Sequence, residues 1–430
     1  MAQNSCSMVN SIKDPLLETS KPLQPLPMKI TFIYTFPMNK LFFLVFLLHM
    51  SSFISAQTTD TTLTSQDAIY NRPFIQIPKI KSSIGGYVEG NTNYFIEDGV
   101  TDGFSMELRR FNFFLYSNIH DKIKFISEIE FEHGTEEISL ETALVDFEFN
   151  PSLNLRAGIL LPNIGMVNVN HDSPKWEFIE RPLSSTDIIP STLSEVGFGI
   201  HGKFFPGNYI LSYDTYLTNG LQDGVILNNA GKTNLASGKN TEMFAEDNNG
   251  MPMYNAKISL SNRKLGEIGV SYYGGIYNTF TMDGNIIDSK KALALYAFDF
   301  TTQIKKLKFI GELAFVNINV PENINTIYSE KQYAAFLELS YPIMNRRMLG
   351  FNNALLNIST RAERIDYNLA SFSDGSKIRD DVNAISLGIG WRPIESTIIR
   401  FNYRHNTIHD FLGNPPMLKA GFQVGVASYF

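Results

Sequence analysis

Cysteine is almost absent from this sequence. The single cysteine among 430 residues is Cys6, which excludes a disulfide framework and a zinc site built from several cysteines. Long apolar runs are also missing. Beyond residue 57 there is no stretch of about 18 consecutive apolar residues, which excludes transmembrane helices from that part of the chain.

An excess of basic residues is missing as well. The 36 Lys and Arg residues are outnumbered by 43 Asp and Glu residues, and the formal net charge is −7 at pH 7, the wrong sign for a general nucleic-acid binder. No Gly-x-Ser-x-Gly nucleophile elbow occurs. His171, Asp172 and Ser173 are adjacent in sequence, which does not make them converge as a catalytic site must. We therefore predict no enzyme activity, no cofactor and no metal site.

Aromatic residues, in contrast, are abundant, with 33 Phe and 19 Tyr. They occur in segments where apolar and small or polar residues alternate, which is typical of a strand whose two faces meet different surroundings. In one segment Ile385, Leu387 and Ile389 alternate with Ser386 and Gly388. Sixteen segments are predicted as strands, at 83–95, 104–117, 123–132, 138–149, 153–160, 195–205, 208–219, 253–262, 266–276, 292–303, 306–317, 331–342, 353–366, 382–392, 395–406 and 418–430.

The connections between these segments alternate in length. Short ones contain turn residues, as in Asn150-Pro151-Ser152 and Pro206-Gly207-Asn208. Long ones cover 161–194, 220–252, 277–291, 318–330, 367–381 and 407–417. This asymmetry predicts an all-β fold, a transmembrane antiparallel β-barrel of about 16 strands with short periplasmic turns and long extracellular loops. One short-side connection, 343–352, is longer than this pattern predicts.

The first residues indicate export. Lys40 precedes an apolar run, and small residues follow it up to Ala56, which is the layout of a cleaved signal peptide. We expect residues 1–37 to be an upstream extension or a mis-assigned start, 38–56 a signal peptide, 57–82 a periplasmic segment and 83–430 the barrel. The terminal Phe430 closes the last alternating strand, as in barrels of the outer membrane of Gram-negative bacteria.

Three stretches resemble the phosphate-selective porin family. They are Ala157 to Gly165, Trp176 to Leu183 with its Phe-x-Glu-Arg element, and Glu195 to Gly202. The resemblance is good over about 150–205 and depends elsewhere on strand pattern and on Phe430. It implies a sixteen-stranded porin, often a homotrimer, whose third outward loop lies in the lumen. Selectivity for phosphate is a property of only some members of this family and depends on ladders of Arg and Lys along the pore.

Strand parity identifies the residues that would line such a pore. The candidate pore-lining and anion-binding cations are Arg110, Arg156, Lys203, Arg361, Arg400 and Arg404, with His201 beside them. The same parity places nine acids inside, Glu128, Glu130, Glu132, Asp146, Glu148, Asp299, Glu312, Glu338 and Glu363. A mixed polar lumen, an anion ladder and a cation-preferring pore therefore all stay open.

Three residues of the third long loop, Trp176, Glu180 and Arg181, are candidates for a constriction. In one interpretation Glu180 or Arg181 lies at the narrowest point. In the other, Glu180 and Arg181 form an ion pair that fixes the loop to the wall, with Trp176 packed beneath it.

The sequence thus predicts an outer-membrane porin for passive diffusion of small hydrophilic solutes or inorganic ions. The alternatives are a plugged structural or adhesive barrel without transport and, less favoured, an outer-membrane enzyme. The expected partners are membrane lipid and lipopolysaccharide, the barrel assembly machinery through Phe430, and further copies of the chain. Nucleic acid is not expected.

Overall fold

The computed structural model describes residues 64–75, 81–321, 327–372 and 374–430. Antiparallel strands dominate it. Sixteen strands form the barrel: β1 Ser82–Glu97, β2 Val100–His120, β3 Ile123–Glu132, β4 Glu137–Asn150, β5 Leu153–Leu160, β6 Glu195–Phe204, β7 Tyr209–Thr218, β8 Met253–Asn262, β9 Gly266–Ile276, β12 Ala292–Ile304, β13 Leu307–Ile318, β14 Lys331–Met348, β15 Phe351–Asp366, β16 Asp381–Ile394, β17 Thr397–Ile408 and β18 Met417–Tyr429. Two short strands, β10 Thr281–Met282 and β11 Asn285–Ile286, form a separate hairpin in a long loop.

The barrel is closed by its first and last strands. β1 pairs with β18 along a register that runs from Tyr87 opposite Tyr429 to Glu97 opposite Lys419, and every other barrel strand pairs with its sequence neighbours in the barrel. All sixteen predicted strands are confirmed, four of them with identical bounds. Closure leaves the sheet without an edge, so each strand finds backbone partners on both sides.

The connections confirm the predicted asymmetry and correct one detail. β14 and β15 are longer than predicted and are joined by Leu349 and Gly350 alone, so the connection predicted at 343–352 is a two-residue turn. Both residues have positive φ, 50° and 91°, which is the backbone of a type I′ hairpin. At the opposite end, Asp98 and Gly99 join β1 to β2 with φ of 48° and 85°.

The two faces of the barrel follow the alternation seen in the sequence. On β16, Ile385, Leu387 and Ile389 are exposed on the outside, whereas Ser386 and Gly388 are buried inside. Among the described residues, no helix is long and apolar enough to cross a membrane.

Two segments fold into the barrel interior. One is the long connection between β5 and β6, residues 161–194. The other is residues 64–75, which precede β1 and contact inward-facing side chains of several strands. Within the segment 57–82, which stays predicted as periplasmic, residues 64–75 contact the barrel strands, and Ser82 begins β1. The expected signal peptide and upstream extension lie outside the described residues.

Candidate permeation path in the barrel lumen

The loop 161–194 crosses the lumen and is anchored to opposite walls. Near its start, Lys257 of β8 donates to the carbonyl of Gly165 at 2.6 Å, and the backbone N–H of Met166 donates to Glu312 of β13 at 2.7 Å. Farther along, the N–H of Leu183 donates to Glu363 of β15 at 2.7 Å. The sequence left open whether this loop folds inward, and these contacts place it there.

Small residues on the wall make room for the loop. A Cβ atom built on Gly425 of β18 would lie 2.8 Å from Cδ1 of Ile179, and one built on Gly388 of β16 would lie 3.1 Å from the ring of Phe178. These glycines occupy inward positions where a larger side chain would displace the loop.

Arg400 of β17 holds the same part of the loop by its backbone. Its guanidinium donates to the carbonyl oxygens of Trp176 and Phe178 at 3.1 and 2.7 Å, and to Glu89 of β1 at 2.7 Å. The side chain is 1% exposed. A buried guanidinium with this many acceptors is a structural anchor, and its charge is already compensated by Glu89.

Residues 64–75 fill the lumen beside β3–β7. Arg72 is 1% exposed. Its guanidinium donates to both carboxylate oxygens of Asp172 at 2.9 Å and to Glu128 at 3.0 Å. The same guanidinium lies 3.8 Å from the ring centre of Phe114. Tyr70 donates to Asp146 at 2.7 Å. The segment and the loop are therefore joined through Asp172.

Apolar contacts support this segment. Ala68 and Ile69 pack against inward-facing Ile126, Leu144 and Tyr216. Strand parity predicts which charged side chains of the strands face inward. It therefore gave no indication of Arg72, which precedes the first strand, or of this apolar cluster. The available signal was the presence of Ile126 and Leu144 on the otherwise polar face, since apolar side chains on a wet face need a covering partner.

His171, Asp172 and Ser173 are all buried in this network, but their geometry is structural. His171 Nε2 lies 3.0 Å from Glu128, Asp172 accepts from Arg72, and Ser173 Oγ accepts from Arg400 at 2.7 Å. Burial alone would lower the pKa of His171, but Glu128 and Asp172 outweigh it and the pKa is raised. Burial alone would raise the pKa of Asp172, but Arg72 and Lys175 hold it well below its usual range.

The other predicted pore-lining cations also have partners inside the lumen. The pairs are Arg110 with Glu132 and Glu89, Arg156 with Asp146 and with Tyr216, Lys203 with Asp67, Arg361 with Glu363 and with the carbonyl of Glu180, Arg404 with Asn406 and Glu363, and His201 with Asp146. Each of these cations is neutralised by a nearby acid, so they do not form a row of uncompensated positive charge.

Glu180 and Arg181 play different parts. Glu180 accepts two hydrogen bonds from Arg109 of β2, both at 2.8 Å, and one from Gln423 of β18 at 2.8 Å. Burial alone would raise the pKa of Glu180, but Arg109 holds it below its usual range. Glu180 does pin the loop to the wall, as one interpretation proposed, but its partner is Arg109 and not Arg181.

Arg181 has no such partner. Within the described part of the chain, neither its Nε nor its Nη2 atom has a hydrogen-bond partner, although both atoms are buried. Trp176 lies on the other side of the loop, where its Nε1–H donates to the carbonyl of Asn170 at 2.7 Å and its ring packs against Met166, Ile310 and Phe336.

The remaining free space forms cavities on either side of the loop. At the short-turn end, a cavity of about 1090 Å³ reaches Trp176 and Glu177. At the long-loop end, cavities of about 470 and 140 Å³ reach Leu183 and Arg181 respectively. Between them a cavity of about 10 Å³ is lined by Trp176, Glu180, Arg181 and Arg361. That volume accommodates about one water molecule.

Comparison with known proteins agrees with the fold. No protein family model matches the chain. An uncharacterized protein of Aquifex aeolicus (strain VF5) is 35% identical over 147 residues, which are 33% of this chain and only 32% of that relative's own length.

Solved outer-membrane barrels share the architecture at low sequence identity. The outer membrane channel DcaP of Acinetobacter baumannii gives a TM-score of 0.52 at 13% identity, covering 82% of this chain and 98% of DcaP. An anion-selective porin from Comamonas acidovorans gives 0.51 at 10% identity, covering 81% and 99%. OmpF of Salmonella typhi gives 0.51 at 10% identity, covering 81% and 98%. The chain therefore has the fold of outer-membrane porins, a closed sixteen-stranded antiparallel barrel.

Proposed function

We propose that this protein is an outer-membrane channel for passive diffusion of small hydrophilic solutes or ions. The observation that carries the proposal is that one lumen holds separate cavities near its two ends, with Glu180 and Arg181 lining the small cavities beside the loop. Charged side chains at a narrow point of a lumen are one way in which channels select ions. The apolar outer face and the short-turn and long-loop ends support insertion in an outer membrane.

Arg181 is the residue on which we base the selectivity of this channel. The neighbouring lumen cations are hydrogen-bonded to acids, whereas Nε and Nη2 of Arg181 have no hydrogen-bond partner among the described residues, although Glu132 lines the same cavity. Both the 10 Å³ cavity and the 140 Å³ cavity beside it are lined by this residue. A guanidinium binds oxyanions through two parallel hydrogen bonds. We therefore propose that the channel prefers small anions, with phosphate as one candidate. This preference is determined by the single residue Arg181 and not by a row of cations along the pore.

Single-channel recording in a planar bilayer under a salt gradient tests both parts. We expect stepwise channels whose reversal potential indicates anion preference. Arg181→Gln should shift the reversal potential toward cations. The matched control is Arg379→Gln, which removes the same charge from an exposed loop residue and should leave it unchanged. Absence of channels would contradict the proposed function, and an equal shift in both variants would contradict the role of Arg181.

A second candidate function is a plugged barrel without transport. The observations in its favour are the 10 Å³ volume at the constriction and the dense packing of residues 64–75 beside it. Liposome swelling separates the two candidates. Swelling with small polar solutes that occurs only in vesicles containing the protein supports the channel. The absence of swelling, together with the absence of channel current in planar bilayers, supports the plugged barrel.

Four further expectations belong to this proposal. Phe430 exchanges backbone hydrogen bonds with Gly86 at 3.0 and 3.3 Å, and its exposed ring stacks on Phe111 at 5.6 Å, which leaves the terminal ring accessible to barrel assembly machinery. Export through a cleaved signal peptide and assembly into homotrimers, with lipopolysaccharide around the long loops, complete the proposed localisation.

A further inference from the structure

Positive charge is concentrated on three neighbouring turns at the short-turn end of the barrel. The turn between β8 and β9 contains Lys264, the turn between β12 and β13 contains Lys305, and the turn between β14 and β15 is preceded by Arg346 and Arg347. All four side chains are exposed, and none has an ion pair among the described residues. We call these four residues the basic arc.

The three turns are contiguous around the barrel wall. β9 pairs with β12 and β13 pairs with β14, so the basic arc covers six adjacent strands from β8 to β15. The other turns at this end, 121–122, 151–152, 205–208 and 395–396, contain only Asp121, Lys122 and Glu395 as charged residues. The positive charge therefore belongs to one side of the rim.

Each of the three turns also exposes an apolar side chain next to its cations. Leu265 is 62% exposed, Ile304 61% and Leu349 80%. Exposed apolar residues of the same strands, Ile268 and Phe351, continue from the turns toward the outer face of the barrel. Apolar tips beside cations are typical of a surface that meets the boundary between lipid tails and headgroups.

We propose that the basic arc binds anionic phospholipid headgroups of the inner leaflet. This inference rests on the proposed function, because the turns reach that leaflet only if the barrel spans the outer membrane with its short turns in the periplasm. Phosphate groups would accept from the Lys and Arg side chains, while Leu265, Ile304 and Leu349 insert among the acyl chains. An acidic soluble protein would match the charge but would leave these three apolar side chains without an apolar partner.

Lipid retention by the purified full-length protein tests the proposal. Delipidated protein in neutral detergent is titrated with phosphatidylglycerol or phosphatidylethanolamine, and bound lipids are counted by native mass spectrometry. We expect phosphatidylglycerol to be retained about tenfold better at low salt, with the preference reduced at high salt. The variant Lys264→Gln, Lys305→Gln, Arg346→Gln and Arg347→Gln should lose it. Lys306 and Lys308 stay unchanged, since they line the large cavity.

The control removes four exposed cations from the opposite, long-loop end of the barrel, through Lys290→Gln, Arg364→Gln, Lys377→Gln and Arg379→Gln. It should retain phosphatidylglycerol as the unmodified protein does. Equal retention of the two lipids by the unmodified protein, or unchanged retention by the arc variant, would overturn the proposal. Conductance in a neutral bilayer is measured separately on the unmodified protein. The absence of any channel current there would contradict the proposed function, whatever the result of the lipid experiment.

Discussion

The guanidinium of Arg72 and the carboxylate of Asp172 form a two-point hydrogen-bonded pair, with both distances at 2.9 Å, in the interior of the barrel. The two residues are 100 positions apart and belong to the two segments that occupy the lumen. Asp172 also accepts from Tyr429 at 2.6 Å, near the end of the closing strand. The pair therefore connects the inner segment 64–75, the constriction loop and the barrel wall.

Arg72→Met should destabilise the protein strongly. The substitution removes the guanidinium that Asp172 and Glu128 share and leaves them only Lys175 and His171 as basic partners; breaking a buried pair from one side costs about 3–5 kcal/mol. The measurement is the free energy of unfolding in urea, with the barrel reconstituted in lipid vesicles. Lys203→Gln is the control, because its ion pair with Asp67 is partly exposed and should contribute no more than about 1 kcal/mol. Equal losses for the two variants would contradict a special role for the Arg72 pair.

Removal of residues 64–75 should widen the path. These residues cover Ile126, Leu144 and Tyr216, and without them the β3–β7 side of the lumen opens to water and Asp172 loses Arg72. Single-channel conductance should rise, with more current noise from a loop that has lost one anchor. The comparison is with Arg72→Met in the full chain, which keeps the segment. Unchanged conductance after the deletion would show that these residues do not limit the path.

Gly425→Ala should disturb the constriction, although it adds only one methyl group. The new Cβ would lie 2.8 Å from Cδ1 of Ile179, so the side chain of Ile179 must move next to the point where Arg400 holds the loop backbone. We expect altered conductance, read from the same recordings. Gly90→Ala on β1 is the control, because its nearest neighbour, the carbonyl of Glu107, would be at an ordinary 3.4 Å. A Gly425→Ala channel identical to the unmodified one would contradict the close fit between wall and loop.

Acid should loosen the loop only below the usual titration range of a glutamate. The pKa of Glu180 is depressed, so its pairing with Arg109 is fully present above the ordinary value of about 4.3 and is lost as the pH falls through the lower folded value. We expect the contribution of this pair to conductance to stay constant down to about pH 4 and to be lost only as the pH falls through the lower folded value. Glu180→Gln should abolish that acid transition. Its persistence in the variant would assign it to another group.

The sequence by itself determined the barrel. Alternation in segments such as 382–392 gives the side on which each residue lies, because successive side chains of a strand point to opposite faces, and the alternation of short and long connections gives the two ends. It also identified the loop 161–194 and the residues Trp176, Glu180 and Arg181. These features are local, so one stretch of chain suffices to reveal them.

Only the tertiary structure decided what occupies the interior. Residues 64–75 have no strand or helix periodicity, and their hydrogen-bond partners on the barrel strands are 56 to 202 residues away, from Glu128 to Glu267. Likewise, Arg400 faces inward by parity, but whether it meets water or the carbonyl of Phe178, 222 residues away, depends on the path of the loop. Parity gives the face on which a charge lies but not its neighbours, and the neighbours determine whether that charge anchors the structure or, as we propose for Arg181, meets a passing ion.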